Sequence, residues 1–228
     1  MKIITADKEG NLITQGGDAW KALRVGMLTA STMSEILPGK KGGYLASRQK
    51  ALNSMIWERL SSLPETGFFG GKYVRDGVER EPFARMGYEG RTGNIVEETA
   101  FVTHDWLRVG VSLDGWVPGL KRTIEIKCPK DTTHMEYLRS DEAPDEYKVQ
   151  IQTQLWVTGY TSCDFVSYHP DAESFGAHLH IIRVERDETL IALIEKEAKA
   201  FLNEVDVEIA NCRKRFTTLF PQTESEFA

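Results

Sequence analysis

Three residues, Asp114, Glu125 and Lys127, bring reactive groups close together in the chain. Asp114 ends the apolar run from Leu107 to Leu113 and precedes Gly115, where a sharp turn is expected. After ten intervening residues comes Thr123-Ile124-Glu125-Ile126-Lys127-Cys128-Pro129, in which charged and apolar side chains alternate. The two-residue period of a strand puts Glu125 and Lys127 on one face, and Ile124, Ile126 and Cys128 on the other, toward a core. A turn at Pro118-Gly119 would fold Val111–Trp116 back onto this strand as a hairpin. Two carboxylates and an ammonium gathered this way suit metal-assisted phosphodiester hydrolysis. Asp114 and Glu125 are hard oxygen ligands for Mg²⁺, with Mn²⁺ expected to substitute. Such an ion orients the scissile phosphate, lowers the pKa of the attacking water and stabilises the leaving oxygen. Lys127 can hold that water or neutralise charge building on the phosphate. A solvated salt-bridge ladder would also use these residue types. The clean alternation with Ile124 and Ile126 argues for a defined face on an inner strand instead.

The elements that must carry these groups follow from periodicity and breakers. Residues 1 to 17 are expected as an N-terminal arm, 18 to 186 as the core that carries these groups, and 187 to 228 as a C-terminal helix and tail, all in one domain. Asp18 is a candidate N-cap for a short helix stopping at Gly26, and Thr32-x-x-Glu35 matches a capping box. A loop at Pro38–Gly43 leads to an amphipathic helix over 44 to 60, with Leu45, Leu52, Met55, Ile56 and Leu60 as its buried stripe. A loop over 64 to 71 precedes a helix over 74 to 88, which holds Glu81 and Pro82. Three antiparallel strands are expected at 94 to 104, 106 to 114 and 122 to 128. Helices at 132 to 138 and 145 to 157 follow, then strands at 162 to 169 and 178 to 185, and a helix capped by Asp187 reaching Lys214. The fold class is α/β (α+β mixed): a mixed, mostly antiparallel sheet flanked by helices.

Of 228 residues, 41% are apolar, enough for a substantial core, and no run approaches a membrane span. The first residues lack the apolar centre of a secretion signal. Cys128, Cys163 and Cys212 show no metal-ligand rhythm, so free thiols in a reduced, cytoplasmic setting are expected. The net charge of −6 counts against a protein that grips nucleic acid by a broad basic surface. Basic residues gather locally at Lys40-Lys41, Arg48 and Lys50, Lys72 and Arg75, and Lys121-Arg122. Positive charge confined to a channel, or encirclement of the DNA, remains compatible with this balance.

Arg24 and Ser31 add a second chemistry. An arginine fork matches a phosphate bidentately, and a serine at a helix N-terminus sits where anions bind. Gln150 and Gln154 stand one helical turn apart, beside the face carried by Tyr147, Ile151 and Leu155, while Gln152 points elsewhere. The order of these pieces is distinctive: Trp20, Arg24-x-Gly26-x-x-Thr29-Ala30-Ser31, Gly77-x-x-x-Glu81, Ser112-x-Asp114-Gly115, Glu125-x-Lys127-Cys128-Pro129, Gln150-x-Gln152 and Trp156-Val157-Thr158. The hairpin resembles the Pro-Asp…(Asp/Glu)-x-Lys nuclease superfamily, with Leu113 in place of the usual proline. The whole series, from about residue 18 to 187, resembles the lambda-phage-type alkaline exonuclease family of viral recombination nucleases.

That resemblance implies a restriction-endonuclease-like core and a Mg²⁺-dependent enzyme. It would digest the 5′-ended strand of linear double-stranded DNA processively, leaving 3′ single-stranded tails for homologous recombination. It also implies a homotrimer ring threaded by DNA and a single-strand annealing recombinase as partner. Carried over by position, Asp114, Glu125 and the Ile126 carbonyl would hold the metal, and Lys127 would activate or position the water. Glu81 and Gln150 would support the metal and water shell, and Arg24, Ser31 and Ser112 would hold the 5′-phosphate. Lys41 falls near where the family places a basic residue at the duplex fork. Two rivals remain: an endonuclease or junction resolvase on the same core, and a non-catalytic DNA-end-binding or annealing protein.

Overall fold

The computed structural model describes residues 1–39, 41–64 and 72–219, with the side chains of 72–78 and 217–219 left out. Lys40, the 65–71 stretch, the side chains of Lys72 and Arg75 and the tail past 219 therefore lie outside the described residues. In chain order come β1 (Lys2–Ile4), α1 (Asp18–Arg24), β2 (Leu28–Thr29), α2 (Met33–Ile36), α3 (Ala46–Ser61) and α4 (Lys72–Thr92). Then follow β3 (Phe101–Thr103), β4 (Val109–Val111), β5 (Gly115–Val117), β6 (Arg122–Lys127), α5 (Asp131–Leu138) and α6 (Asp145–Thr158). The last elements are β7 (Ser162–Tyr168), β8 (Leu179–Glu185) and α7 (Glu188–Leu219).

The strands form two four-stranded mixed sheets, ordered β1-β3-β4-β2 and β5-β6-β7-β8. In the first, β2 runs parallel to β4; in the second, β6 runs parallel to β7. A parallel pair needs a long crossover, and α5 and α6 supply it between β6 and β7. The side chains of α6 from Ile151 to Thr158 are all buried. A helix enclosed on every side cannot be strongly amphipathic, and α6 packs against both sheets and against α7. Its polar residues are bonded accordingly: Gln152 donates to the Glu185 carbonyl and accepts from the Asp187 N–H, both at 2.8 Å. Along α7, Ile191, Ile194, Ala198, Phe201, Val205 and Ile209 form a stripe at helical spacing against the same core.

Several boundaries differ from the sequence reading. The expected run of three antiparallel strands is broken, because β4 belongs to the first sheet with β3 while β5 belongs to the second with β6. The chain changes sheets at Ser112-Leu113-Asp114. The N-terminal stretch is tied to the sheets: Lys2–Ile4 pairs with β3, and the Gln15 amide donates to the carbonyls of Leu113 and Thr99. Leu45 lies before α3 and is 57% exposed, so it is not part of that helix's buried stripe. The capping box does not form, since the Thr32 hydroxyl donates to the Thr29 carbonyl instead. Helix α4 continues through Pro82 to Thr92.

Gly115 opens β5 rather than a turn. Its small size is required because a Cβ there would lie 2.4 Å from Val96 Cγ1. Valine is stiff at χ1 and cannot easily yield. Gly115→Ala should cost about 1–3 kcal/mol by overpacking, lowering Tm by roughly 2–4 °C per kcal/mol. Val96→Ala in the same chain should restore part of that loss, which a double-mutant cycle of melting temperatures would measure.

Candidate active site

The Ser112–Asp114 crossover has no strand on which to lean, so side chains from four directions hold it. The Ser112 hydroxyl accepts from Trp20 Nε1 at 2.9 Å and from the Arg24 guanidinium at 3.2 Å. Gln15 holds the Leu113 carbonyl at 2.8 Å. Arg85, one turn beyond Glu81 on α4, donates to the Asp114 carbonyl from Nε and NH2 at 3.2 and 3.0 Å. The Asp114 carboxylate turns to β6, where Oδ2 accepts the Ile126 N–H at 2.7 Å. Strand β5 pairs with β6 only as far as Gly115 opposite Ile124. Past that point the edge of β6 is open, and Asp114 takes the place of a strand. A strand residue's carbonyl leaves on the same edge as its N–H, so the Ile126 carbonyl faces Asp114 as well.

Glu125 is 1% exposed and faces α6. Its Oε1 accepts from Lys127 Nζ at 2.5 Å and Gln150 Nε2 at 2.7 Å, and its Oε2 accepts from Gln154 Nε2 at 2.5 Å. Ile124 and Ile126 point to the opposite face and pack with Ala84, Tyr88 and Val166. The expected two-faced strand is thus present, but both faces are buried. The Lys127 ammonium also lies 4.9 Å from the centre of the Tyr147 ring. Glu81 accepts from Arg85 at 3.0 Å and adds a third carboxylate to the electrostatics of the group.

Burial, then the Glu125 carboxylate beside it, raises the Asp114 pKa well above the usual carboxylate range, with Lys127 only partly offsetting them. Glu81 is raised too, chiefly by burial, with Arg85 opposing. Burial draws the Lys127 ammonium down, but Glu125 and Asp114 outweigh it and hold its pKa above that of an ordinary lysine. Lys127 is therefore a proton-bearing donor here. Burial also pushes the Cys128 thiol up to about 12, which leaves it unreactive.

Among the described residues, no three His, Cys, Asp or Glu side chains gather into a metal-holding group. What the site offers is two desolvated carboxylates and a main-chain oxygen. Mg²⁺ demands little more, because it keeps several waters and binds through one or two carboxylates. The donor set therefore fits a hard divalent cation.

The residues expected to bind the 5′-phosphate also converge. The Arg24 guanidinium stacks over Trp20 at 4.4 Å from the ring centre and reaches Ser112 and, at 3.4 Å, Ser31. Thr29 and Ser31 share a hydroxyl contact of 3.1 Å. Arg24, Ser31, Thr29 and Lys50 line a cavity of about 370 Å³. Helix α2 is a single turn, so the donors here are the guanidinium and hydroxyls rather than a helix terminus. Lys41 stands exposed in the loop before α3, and no hydrogen bond among the described residues ties it to either cluster.

Sequence reasoning missed Arg85, although its four-residue spacing from Glu81 is that of a helical ion pair. It also gave Gln154 no role. Gln154 is fully buried and donates to Glu125, while its Oε1 has no hydrogen-bond partner among the described residues. Buried unsatisfied groups are rare and call for an explanation; holding Glu125 supplies one.

Comparison with known proteins bears on the whole site. The YqaJ-like viral recombinase domain model matches residues 19–161, a span that includes every site residue from Arg24 to Gln154. The chain is similar to the crystal structure of an alkaline exonuclease, LHK-Exo, from Laribacter hongkongensis, with 37% identity and a TM-score of 0.81 over 89% of this chain and 100% of that one. LHK-Exo in complex with dAMP gives the same identity and coverage with a TM-score of 0.80. A phage related exonuclease from Haemophilus somnus 129PT, 20% identical with a TM-score of 0.63 over 82% of this chain and 96% of that one, shares the fold. No curated protein sequence matches the chain.

Proposed function

Since the chain belongs to the YqaJ-like viral recombinase domain family, we propose that it is a Mg²⁺-dependent 5′-to-3′ exodeoxyribonuclease. On this reading it digests one strand of linear double-stranded DNA and leaves 3′ single-stranded tails for recombination. The observation that carries it is the closeness of two clusters: Arg24 holds Ser112, and Asp114 follows two residues later. Two residues of chain span at most about 7 Å. A terminal phosphate caught at Arg24 and Ser112 therefore leaves the adjoining phosphodiester beside Asp114 and Glu125. Such a site releases one nucleotide per cut, and LHK-Exo has been crystallised with a mononucleotide, dAMP.

In this mechanism Arg24, Ser31 and Ser112 fix the register of the 5′ end. Asp114, Glu125 and the Ile126 carbonyl would hold a divalent ion, which would supply charge against the scissile phosphate and lower the pKa of the attacking water. Lys127, as an ammonium, orients that water and neutralises charge developing on the phosphate. Gln150 and Gln154 keep the Glu125 carboxylate in place, and Glu81 borders the water shell.

A homotrimer ring would reconcile the −6 net charge with processive digestion. A ring retains DNA by topology, so processivity should fall less steeply with salt than for an open-cleft binder, whose affinity drops with every phosphate contact. The 3′ tail it leaves suits a single-strand annealing recombinase as partner. Digestion of end-labelled linear duplex with Mg²⁺ tests the function. Label should leave from the 5′ end with circular DNA untouched. Cutting of circles, or release from 3′ ends, would refute the reading.

A further inference from the structure

We propose that Arg85 is a positioning residue that sets the Asp114 carboxylate by gripping its main-chain carbonyl. The inference rests on the exonuclease reading of this site. The guanidinium lies at a junction of three elements. Nε and NH2 both donate to the Asp114 carbonyl, NH2 also reaches Glu81 on the same helix at 3.0 Å, and NH1 reaches Glu98, ahead of β3, at 2.8 Å. The Arg85 side chain is 14% exposed, so it is held within the fold rather than offered to solvent. Across the residue, the Asp114 carboxylate is fixed by the Ile126 N–H. Asp114 is thus pinned at both ends, by Arg85 on its main chain and by β6 on its side chain.

Without this grip the crossover would be tied through Ser112 and Leu113, both upstream of Asp114, and through the Asp114 carboxylate alone, leaving its main chain unheld. A neutral donor could satisfy one carbonyl. The arginine fork does more, because its fixed plane ties the Asp114 carbonyl to Glu81 and so locks α4 to the strand end that carries the metal ligand. A lysine would keep the charge and lose the fork.

Whole-chain Arg85→Lys and Glu98→Gln variants test this. Arg85→Lys should lower kcat about tenfold or more and leave KM for duplex ends within about twofold. In the absence of DNA it should weaken Mn²⁺ binding, measured by titration calorimetry, by roughly ten- to a hundredfold, the effect expected of a lost outer support to a ligand. Glu98→Gln loosens only the outer anchor and should shift both quantities the same way by a smaller factor. Wild-type kcat and Mn²⁺ affinity in Arg85→Lys would overturn the assignment. So would a fall in kcat that merely follows a fall in Tm with Mn²⁺ affinity unchanged. If the wild-type chain releases no nucleotide, the exonuclease reading fails by itself. The Mn²⁺ affinities then decide the role of Arg85, and an unchanged value in Arg85→Lys refutes it.

Discussion

Asp114→Asn should abolish nucleotide release and, without metal, raise the melting temperature. Both effects have one cause. Burial and the neighbouring Glu125 hold the Asp114 pKa well above its ordinary 3.8. The folded chain therefore binds this proton more tightly than the unfolded chain. The penalty for ionising Asp114 is absent below about pH 3.8, grows as pH rises toward the folded pKa, and is constant above it. Asparagine removes the charge and keeps an oxygen for the Ile126 N–H. At neutral pH the variant should gain roughly 2–4 °C for each kcal/mol relieved, and the gain should vanish in acid. A saturating divalent ion should give wild type a comparable rise. Glu125→Ala should also abolish cleavage but lower Tm, because Lys127, Gln150 and Gln154 lose their common acceptor at about 1–3 kcal/mol for each buried donor left unpaired. Lys127→Ala should abolish cleavage with less damage, since both glutamines keep Glu125. Melting curves with and without Mg²⁺ at two pH values, read beside activity, check the set. Equal Tm for wild type and Asp114→Asn at neutral pH would show that Asp114 carries no such strain.

The second large effect concerns the DNA end. Arg24→Ala should cost ten- to a hundredfold in kcat/KM on 5′-phosphorylated duplex and far less on 5′-hydroxyl duplex. A charge-assisted hydrogen bond contributes about 1.5–3 kcal/mol, and one decade is about 1.4 kcal/mol. Arg24→Lys should fall between, because an ammonium keeps the charge but not the fork. Trp20→Ala should follow Arg24→Ala in direction, since Trp20 stacks on the guanidinium and shares the Ser112 hydroxyl. Equal losses on both end types would refute the assigned role.

The candidate site was legible where local spacing fixes direction. Two-residue alternation put Glu125 opposite Ile124, and a four-residue step put Gln150 and Gln154 on one helix face, which the structure turns toward Glu125. The fold class was readable from the succession of elements. What eluded the sequence depends on contacts distant along the chain. Asp114 seemed to sit inside one hairpin. It lies instead at the joint between two sheets, held by residues 29 and 12 positions away at Arg85 and Ile126. Gly115 looked like a turn glycine, yet Val96, distant in sequence, is what excludes a side chain there. Glutamines on α6 ordinarily signal an exposed face. Here the helix is enclosed, and the glutamines serve a buried acid. The assignment of Arg24 to Ser112 came from resemblance, because no local rule links residues 88 positions apart.

Anomalous diffraction at the manganese edge from crystals soaked in Mn²⁺ tests the central claim most directly. An ion should lie in contact with the Asp114 and Glu125 carboxylates, with the Ile126 carbonyl on the same side. An active enzyme whose crystals place manganese elsewhere, or whose two carboxylates turn away from each other with no ion between them, would contradict it.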